Sequence, residues 1–181
     1  MLKPLVVSLY GGPGAGKSTV GFGLAYFLKL ERANVELVTE VAKDFCHEKR
    51  SVALSNQEYI FAKQLRNMRR VMDQYDVIVT DGPILLTRFY DEHHGGTDTA
   101  FHRLVEERAR ELGGLNYFLT RTGAYDPAGR TQTEEQASEV SHELRAMLDR
   151  LNLPYRALAN DGTAVSIILE DIRRELRERR G

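Results

Sequence analysis

Near the start of the chain, residues 4–10 are apolar almost without a break (Leu5-Val6-Val7-Ser8-Leu9-Tyr10) and stop at paired glycines. Such a continuous run predicts a strand buried on both faces. From Lys17 to about Glu31 the spacing changes to helical intervals, with Val20, Leu24, Phe27 and Leu28 on one face. Gly21 and Gly23 weaken that helix but permit close packing against a sheet. Residues 35–39 predict a second short strand ending at Glu40, followed by a charged helical segment to about residue 50. Ser55-Asn56-Gln57-Glu58 fits a capping box, opening a helix to about Tyr75 with Phe61, Leu65, Met68, Met72 and Tyr75 as its stripe. Residues 76–81 predict a third strand closed by Asp81, and 84–99 a short helix and then a mobile loop. A helix over 100–112 ends at Gly113-Gly114, and a fourth strand covers 115–120. After a polar loop over 121–130, a second capping box at 131–134 opens a helix with Ala137, Val140, Leu144, Met147 and Leu151 inward. A fifth strand over 154–158, a turn at Asn160-Asp161-Gly162 and a last amphipathic helix on Val165, Ile168, Leu169, Ile172 and Leu176 complete the pattern.

Strands alternating with helices predict an α/β fold, a parallel sheet covered on both faces. In such a sheet the ligand site lies beyond the carboxyl ends of the strands. That edge gathers the glycine-rich loop, Glu40, Asp81, Arg121 and Asn160-Asp161.

Composition adds limits. The 181 residues, 42% hydrophobic and 28% charged, predict one domain over 1–181 with a substantial core. Twenty-five basic against 26 acidic side chains leave a net charge of −1 and no global field toward nucleic acid or membrane, though a local basic patch stays open. The single Cys46 has no partner for an intramolecular disulfide, and Cys46-His47 lacks the companions of a zinc site. Nothing reads as a signal peptide, and no apolar run reaches the ~20 residues that span a bilayer. A soluble, cytoplasmic protein is expected. Oligomeric state is not legible.

Chemistry enters with Gly11-Gly12-Pro13-Gly14-Ala15-Gly16-Lys17-Ser18-Thr19, which fits G-x-x-x-x-G-K-[ST] between a predicted strand and a predicted helix. Glycines let the loop bend round an anion with its N–H groups inward, and the helix N-terminus adds its dipole. Residues 12–19 are therefore expected to hold the phosphates of ATP. Lys17 would serve the β- and γ-phosphates, and the Ser18 hydroxyl would serve Mg2+. Asp81, closing an apolar strand, is expected to hold the same ion through water.

Several reaction classes are excluded by the residues after Asp81. The next residue is Gly82, where motor and remodelling ATPases usually carry a water-activating Glu. No guanine-reading Asn-Lys-x-Asp segment occurs, and Asp81-Gly82-Pro83-Ile84 is no Asp-x-x-Gly switch. The chain is also short for a remodelling ATPase with a helical lid domain. A small-molecule acceptor is expected instead of water. Arg121 and Arg130 bracket the loop after strand four and could close over the transferring phosphoryl group as a lid over about 121–131. Glu40, opposite the phosphate loop, could take the acceptor's hydroxyl proton. Arg88 and Tyr90 are candidate acceptor contacts, while His93 and His94 read as exposed loop residues that could also stack on an acceptor ring. Arg66, Arg69 and Arg70 read as a solvated helix face, with contact to an anionic substrate as the alternative.

The phosphate motif, Thr39-Glu40, Phe61-x-x-Gln64, Thr80-Asp81-Gly82 and the arginine loop together resemble the nucleoside and nucleotide kinase branch of P-loop proteins. Within it, the chain is most similar to the ribosylnicotinamide-kinase-like family of small bacterial and phage proteins. The resemblance implies a five-stranded parallel sheet in order 2-3-1-4-5, with an acceptor-side helical segment over about 41–75. It implies a catalytic base at Glu40, a nucleobase-reading Gln64, and adenine held by the loop at Asn160 and Asp161. The Asp-Arg-Ser/Tyr segment of deoxynucleoside kinases is replaced here by Asp81-Gly82-Pro83. The expected activity is ATP- and Mg2+-dependent phosphorylation of a nucleoside, nucleotide or related riboside. Two alternatives remain: a kinase acting on polynucleotide ends or modified bases in DNA, and a regulatory ATPase without a small-molecule acceptor.

Overall fold

The structure, a computed structural model, describes residues 3–125 and 133–179. Strand β1 (Leu5–Tyr10) is buried along its whole length and lies at the centre of a five-stranded sheet. Its neighbours are β3 (Val77–Thr80) and β4 (Leu115–Arg121), with β2 (Val35–Val38) and β5 (Arg156–Asn160) at the edges. All pairings are parallel and the order is β2-β3-β1-β4-β5. The chain leaves β1 toward one edge and later crosses to the other, so a crevice opens beyond the carboxyl ends of β1 and β3.

The alternation of side chains along β1 divides the core. Leu5, Val7 and Leu9 meet Val20, Leu24 and Leu28 of α1 (Lys17–Leu30) and Ile168, Leu169 and Ile172 of α8 (Ala164–Glu178). Val6 faces the opposite way, toward Met68 of α4 (Gln57–Arg69). Tyr10 shares that second face with α5 (Leu85–His93), α6 (Thr99–Leu112) and α7 (Glu134–Arg150). Each fully buried Leu or Val is worth roughly 1.5–3 kcal/mol.

Several elements depart from their predicted form. Phe27 is 45% exposed, because the i, i+4, i+8 row of Val20, Leu24 and Leu28 already fills the face α1 turns to the sheet. A Cβ on Gly21 would stand 3.1 Å from Leu37 of the sheet, but one on Gly23 would meet Val165 of α8 at the same distance. The helical stretch after Glu40 divides into α2 (Val41–His47) and α3 (Ser51–Ser55). α4 is capped by Asn56, whose side chain accepts from the Tyr59 N–H, not by Ser55. α7 is capped by Thr133 with Gln136 completing the capping box, two residues beyond the expected one. Residues 84–99 are more regular than expected, since α5 runs to His93 before the turn. Among the described residues, no helix is long and apolar enough to cross a membrane.

Candidate nucleotide and acceptor site

The glycine-rich loop bridges β1 and α1 at the crevice. Gly16 has φ +79° and forms the N-cap of α1, whose first turn carries no acid to oppose an incoming anion. The loop is braced from below by β5, where Asn160 Nδ2 donates to the Ala15 carbonyl at 3.0 Å. A Cβ at position 16 would lie 1.9 Å from that nitrogen, so the brace and the left-handed turn both require glycine. Lys17 Nζ donates to the Gly11 and Gly12 carbonyls at 2.8 and 3.3 Å, which places its charge inside the curl of the loop.

Register carries the acids to the same place. Val38 pairs with Thr80, so the residues just beyond β2 stand beside those just beyond β3. Asp81, 1% exposed, accepts the Glu40 N–H on Oδ1 at 2.9 Å and pairs through Oδ2 with Lys43. Lys43 Nζ also lies 2.5 Å from Ser18 Oγ and 4.0 Å from Glu40 Oε2. Burial would raise the Asp81 pKa, but the Lys43 ammonium, the Ser18 hydroxyl and the Glu40 N–H together hold it below the usual carboxylate range. Glu40 goes the other way: burial, with some repulsion from Asp81, raises its pKa despite the positive charges of Lys17 and Lys43.

These residues fit a magnesium ion. Ser18 and Asp81 already share one cation, the Lys43 ammonium, and oxygen donors are what a hard divalent ion takes. Among the described residues no group of three or more His, Cys, Asp or Glu could hold a metal by itself. The ion would therefore complete its shell with phosphate oxygens and water.

The position after Asp81 has a steric explanation. A Cβ on Gly82 would lie 2.6 Å from Glu40 Cα and 2.8 Å from its Cβ. With Glu40 where it is, position 82 has no room for a glutamate.

A cavity of about 560 Å³ runs from the loop past Glu40 and Lys43 to a wall formed by Leu54, Ile60, Leu86, Tyr90 and His94. Tyr90 and His94 stack at 6.2 Å with planes 22° apart. Burial, then the Glu40 charge, raises the Tyr90 pKa, so its phenol stays protonated.

Other expected site residues sit differently. Gln64 lines the cavity, yet its amide is engaged by backbone: Oε1 accepts from the Val41 N–H at 2.9 Å and Nε2 donates to the Thr39 carbonyl at 3.2 Å. Gln64 thus clamps the peptide groups on either side of Glu40. Arg88 does not line this cavity; it donates to Glu92 at 2.7 Å and pairs with Glu106. His93 turns aside too, bonding Glu143 at 2.7 Å and stacking on Phe89. Asp161 accepts from the Thr163 N–H and hydroxyl, fixing the entry to α8. Arg121 donates to Glu134 at 2.9 Å and lies over the Tyr125 ring, and among the described residues its buried Nη1 has no hydrogen-bond partner. Arg130 lies outside the described residues. On α8, Arg173 pairs with Glu31 and Arg174 with Asp171. Arg66, Arg69 and Arg70 are exposed.

Sequence reasoning passed over Lys43. Its signal was present: Glu40-x-x-Lys43 sets an acid and a base one turn apart at the start of a predicted helix.

Residues 6–164 match the family model described as AAA domain. No curated protein matches the chain. Among solved structures, it is similar to the crystal structure of thymidylate kinase from Ehrlichia chaffeensis. That likeness has a TM-score of 0.60 at 13% identity, spans 97% of this chain and 100% of the other, and is one of fold.

Proposed function

The chain belongs to the AAA-domain family of P-loop proteins, and from that premise we propose that it is a kinase transferring the γ-phosphoryl group of ATP to the hydroxyl of a nucleoside, nucleotide or related riboside. The observation that carries this reading is the position of Glu40, at the junction between the phosphate loop and the 560 Å³ cavity. A carboxylate there, with a raised pKa, suits a general base. The similarity to the ribosylnicotinamide-kinase-like family supports the same assignment.

In this reading, residues 12–19 cradle the triphosphate, with Lys17 drawn from the loop carbonyls to the β- and γ-phosphates. Bound at Ser18 and Asp81, magnesium would neutralise charge on the phosphates. Glu40 accepts the acceptor's hydroxyl proton as its oxygen bonds the γ-phosphorus and the bond to the bridging oxygen of ADP breaks. Gln64 and the Asp81–Glu40 bond hold Glu40 in place. Arg121, whose Nη1 has no hydrogen-bond partner among the described residues, would serve the transferring phosphoryl group together with Arg130, as the sequence suggests for the loop over about 121–131. Asn160 shapes the loop, and Asp161 fixes the turn that borders adenine. Tyr90 and His94 offer a stacking wall to the acceptor ring. Residues 1–181 act as one unit, with the helices over about 41–75 on the acceptor side.

The Glu40 carboxylate on the cavity lining favours an uncharged acceptor over a monophosphate. Transfer of labelled γ-phosphate across nucleosides, monophosphates, nicotinamide riboside and DNA identifies it. Glu40→Gln should lower transfer at least 100-fold while nucleotide binding persists. Transfer retained by that variant would remove Glu40 from the chemistry. The AAA-domain match favours a second reading, a regulatory ATPase. Stable nucleotide binding with slow hydrolysis and no labelled product across the panel would establish it.

A further inference from the structure

We propose that Lys43 is an internal cation that competes with magnesium for Ser18 and Asp81, so that loading the metal–nucleotide complex drives its ammonium toward Glu40 and the acceptor cavity. The inference rests on reading Ser18 and Asp81 as the magnesium pair.

The geometry determines which partner yields. Asp81 is 1% exposed and tied by Oδ1 to the Glu40 N–H, so it cannot follow a leaving lysine. The Lys43 side chain is 38% exposed and ends in a flexible four-carbon stem. Its ammonium bridges Ser18 Oγ and Asp81 Oδ2 and has a second carboxylate in reach, Glu40 Oε2 at 4.0 Å. A divalent ion held by Ser18 and, through water, by Asp81 would repel the ammonium, and Glu40 offers it a carboxylate already in reach. Lys43 belongs to α2, whose Ala42, Cys46 and His47 also line the acceptor cavity. The displaced head therefore enters space facing the acceptor, and metal loading alters the charge that the acceptor meets. Magnesium affinity is reduced by whatever fraction of the protein holds Lys43 in place, in the way a ligand's affinity falls when its competent state is only partly populated.

The test is a magnesium titration of the binding of a fluorescent ATP analogue, read by the magnesium concentration at half saturation. Lys43→Met should lower that concentration about tenfold, which corresponds to about 1.4 kcal/mol. Without divalent ions the variant should melt below the unaltered chain, because Asp81 has lost its counter-charge. Lys43→Gln keeps a polar head without the charge and should shift the half-saturation point in the same direction. An unchanged or higher half-saturation point in both variants overturns the proposal, since a lysine that only binds phosphate would weaken nucleotide binding when removed. Failure of the underlying reading looks different. Binding by the unaltered chain that is indifferent to magnesium, or unaffected by Asp81→Asn, removes the Ser18–Asp81 pair itself and the competition with it.

Discussion

Gly82→Ala isolates the contact that holds the two acids together. Position 82 does not have the positive φ that favours glycine, so alanine there meets no backbone strain. At an unobstructed site of that kind the exchange stabilises a protein by about 0.4–1 kcal/mol through the unfolded chain. Here the added Cβ would stand 2.6 Å from Glu40 Cα, 2.8 Å from its Cβ and 3.1 Å from its Cγ. The first two atoms cannot rotate aside, so the β2–α2 junction must retreat by roughly 1 Å to restore ordinary contact. Overpacking of this kind costs about 1–3 kcal/mol. The retreat also stretches the 2.9 Å bond from the Glu40 N–H to Asp81, and a hydrogen bond to a charged group is worth about 1.5–3 kcal/mol. After the unfolded-state gain is subtracted, the expected net loss is about 1.5–5.5 kcal/mol. For a chain of this size that lowers Tm by roughly 3–20 °C. Urea unfolding measures it, as a lower midpoint at unchanged slope. Gly123→Ala is the control, since among the described residues a Cβ there meets nothing within 4 Å. Equal midpoints for the two variants would refute the steric account of why no glutamate follows Asp81.

Gln64→Leu should destabilise the fold by about 2–4 kcal/mol, leaving the Val41 N–H and Thr39 carbonyl without their buried partner. If Gln64 instead reads the nucleobase, the variant keeps its stability and only the acceptor KM rises; denaturation and steady-state kinetics on one preparation separate the two. Asp171, 5% exposed, accepts from Tyr117 at 3.1 Å and from Arg156 and Arg174 at 2.7 Å. Burial opposes its ionisation, but these donors hold its pKa below the ordinary carboxylate value. A lowered folded pKa contributes stability above the unfolded value, lost as pH falls through the folded one. Asp171→Asn should therefore cost about 2 kcal/mol at pH 7, with the two arginines partly exposed and so discounted. The gap to the unaltered chain should close below about pH 4; a gap that persists there would contradict the assignment.

The readable parts of the chain are those where neighbouring residues determine the result. Five apolar residues and Ser8 running into a glycine-rich loop and a helix specify a central strand and an anion cradle almost without tertiary help, and the sheet order expected by resemblance is the one observed. Helix entries were less legible because caps compete over short distances. Ser55 and Asn56 both suit an N-cap, and the Asn56 side chain reaches the Tyr59 N–H. Phe27 illustrates another gap: a helical stripe can be read from spacing, but its width depends on what packs against it.

The acceptor side was harder to read because its residues act across the fold. Arg88 looks like a free cation in sequence, and only the packing of α5 on α6 supplies Glu106 to pair it. Gln64 looks like a base reader, and only the placement of α4 beneath the end of β2 gives its amide two backbone partners. Gly82 makes the same argument more strongly. In sequence its lack of a carboxylate argues against water activation; in the structure the missing side chain is what allows Glu40 to approach Asp81. A glutamate at 82 and an acid at 40 would claim one volume. The glycine that counts against water activation is therefore the residue that brings Glu40 beside Asp81, and Lys43, one turn along α2, pairs with Asp81 and stands 4.0 Å from Glu40.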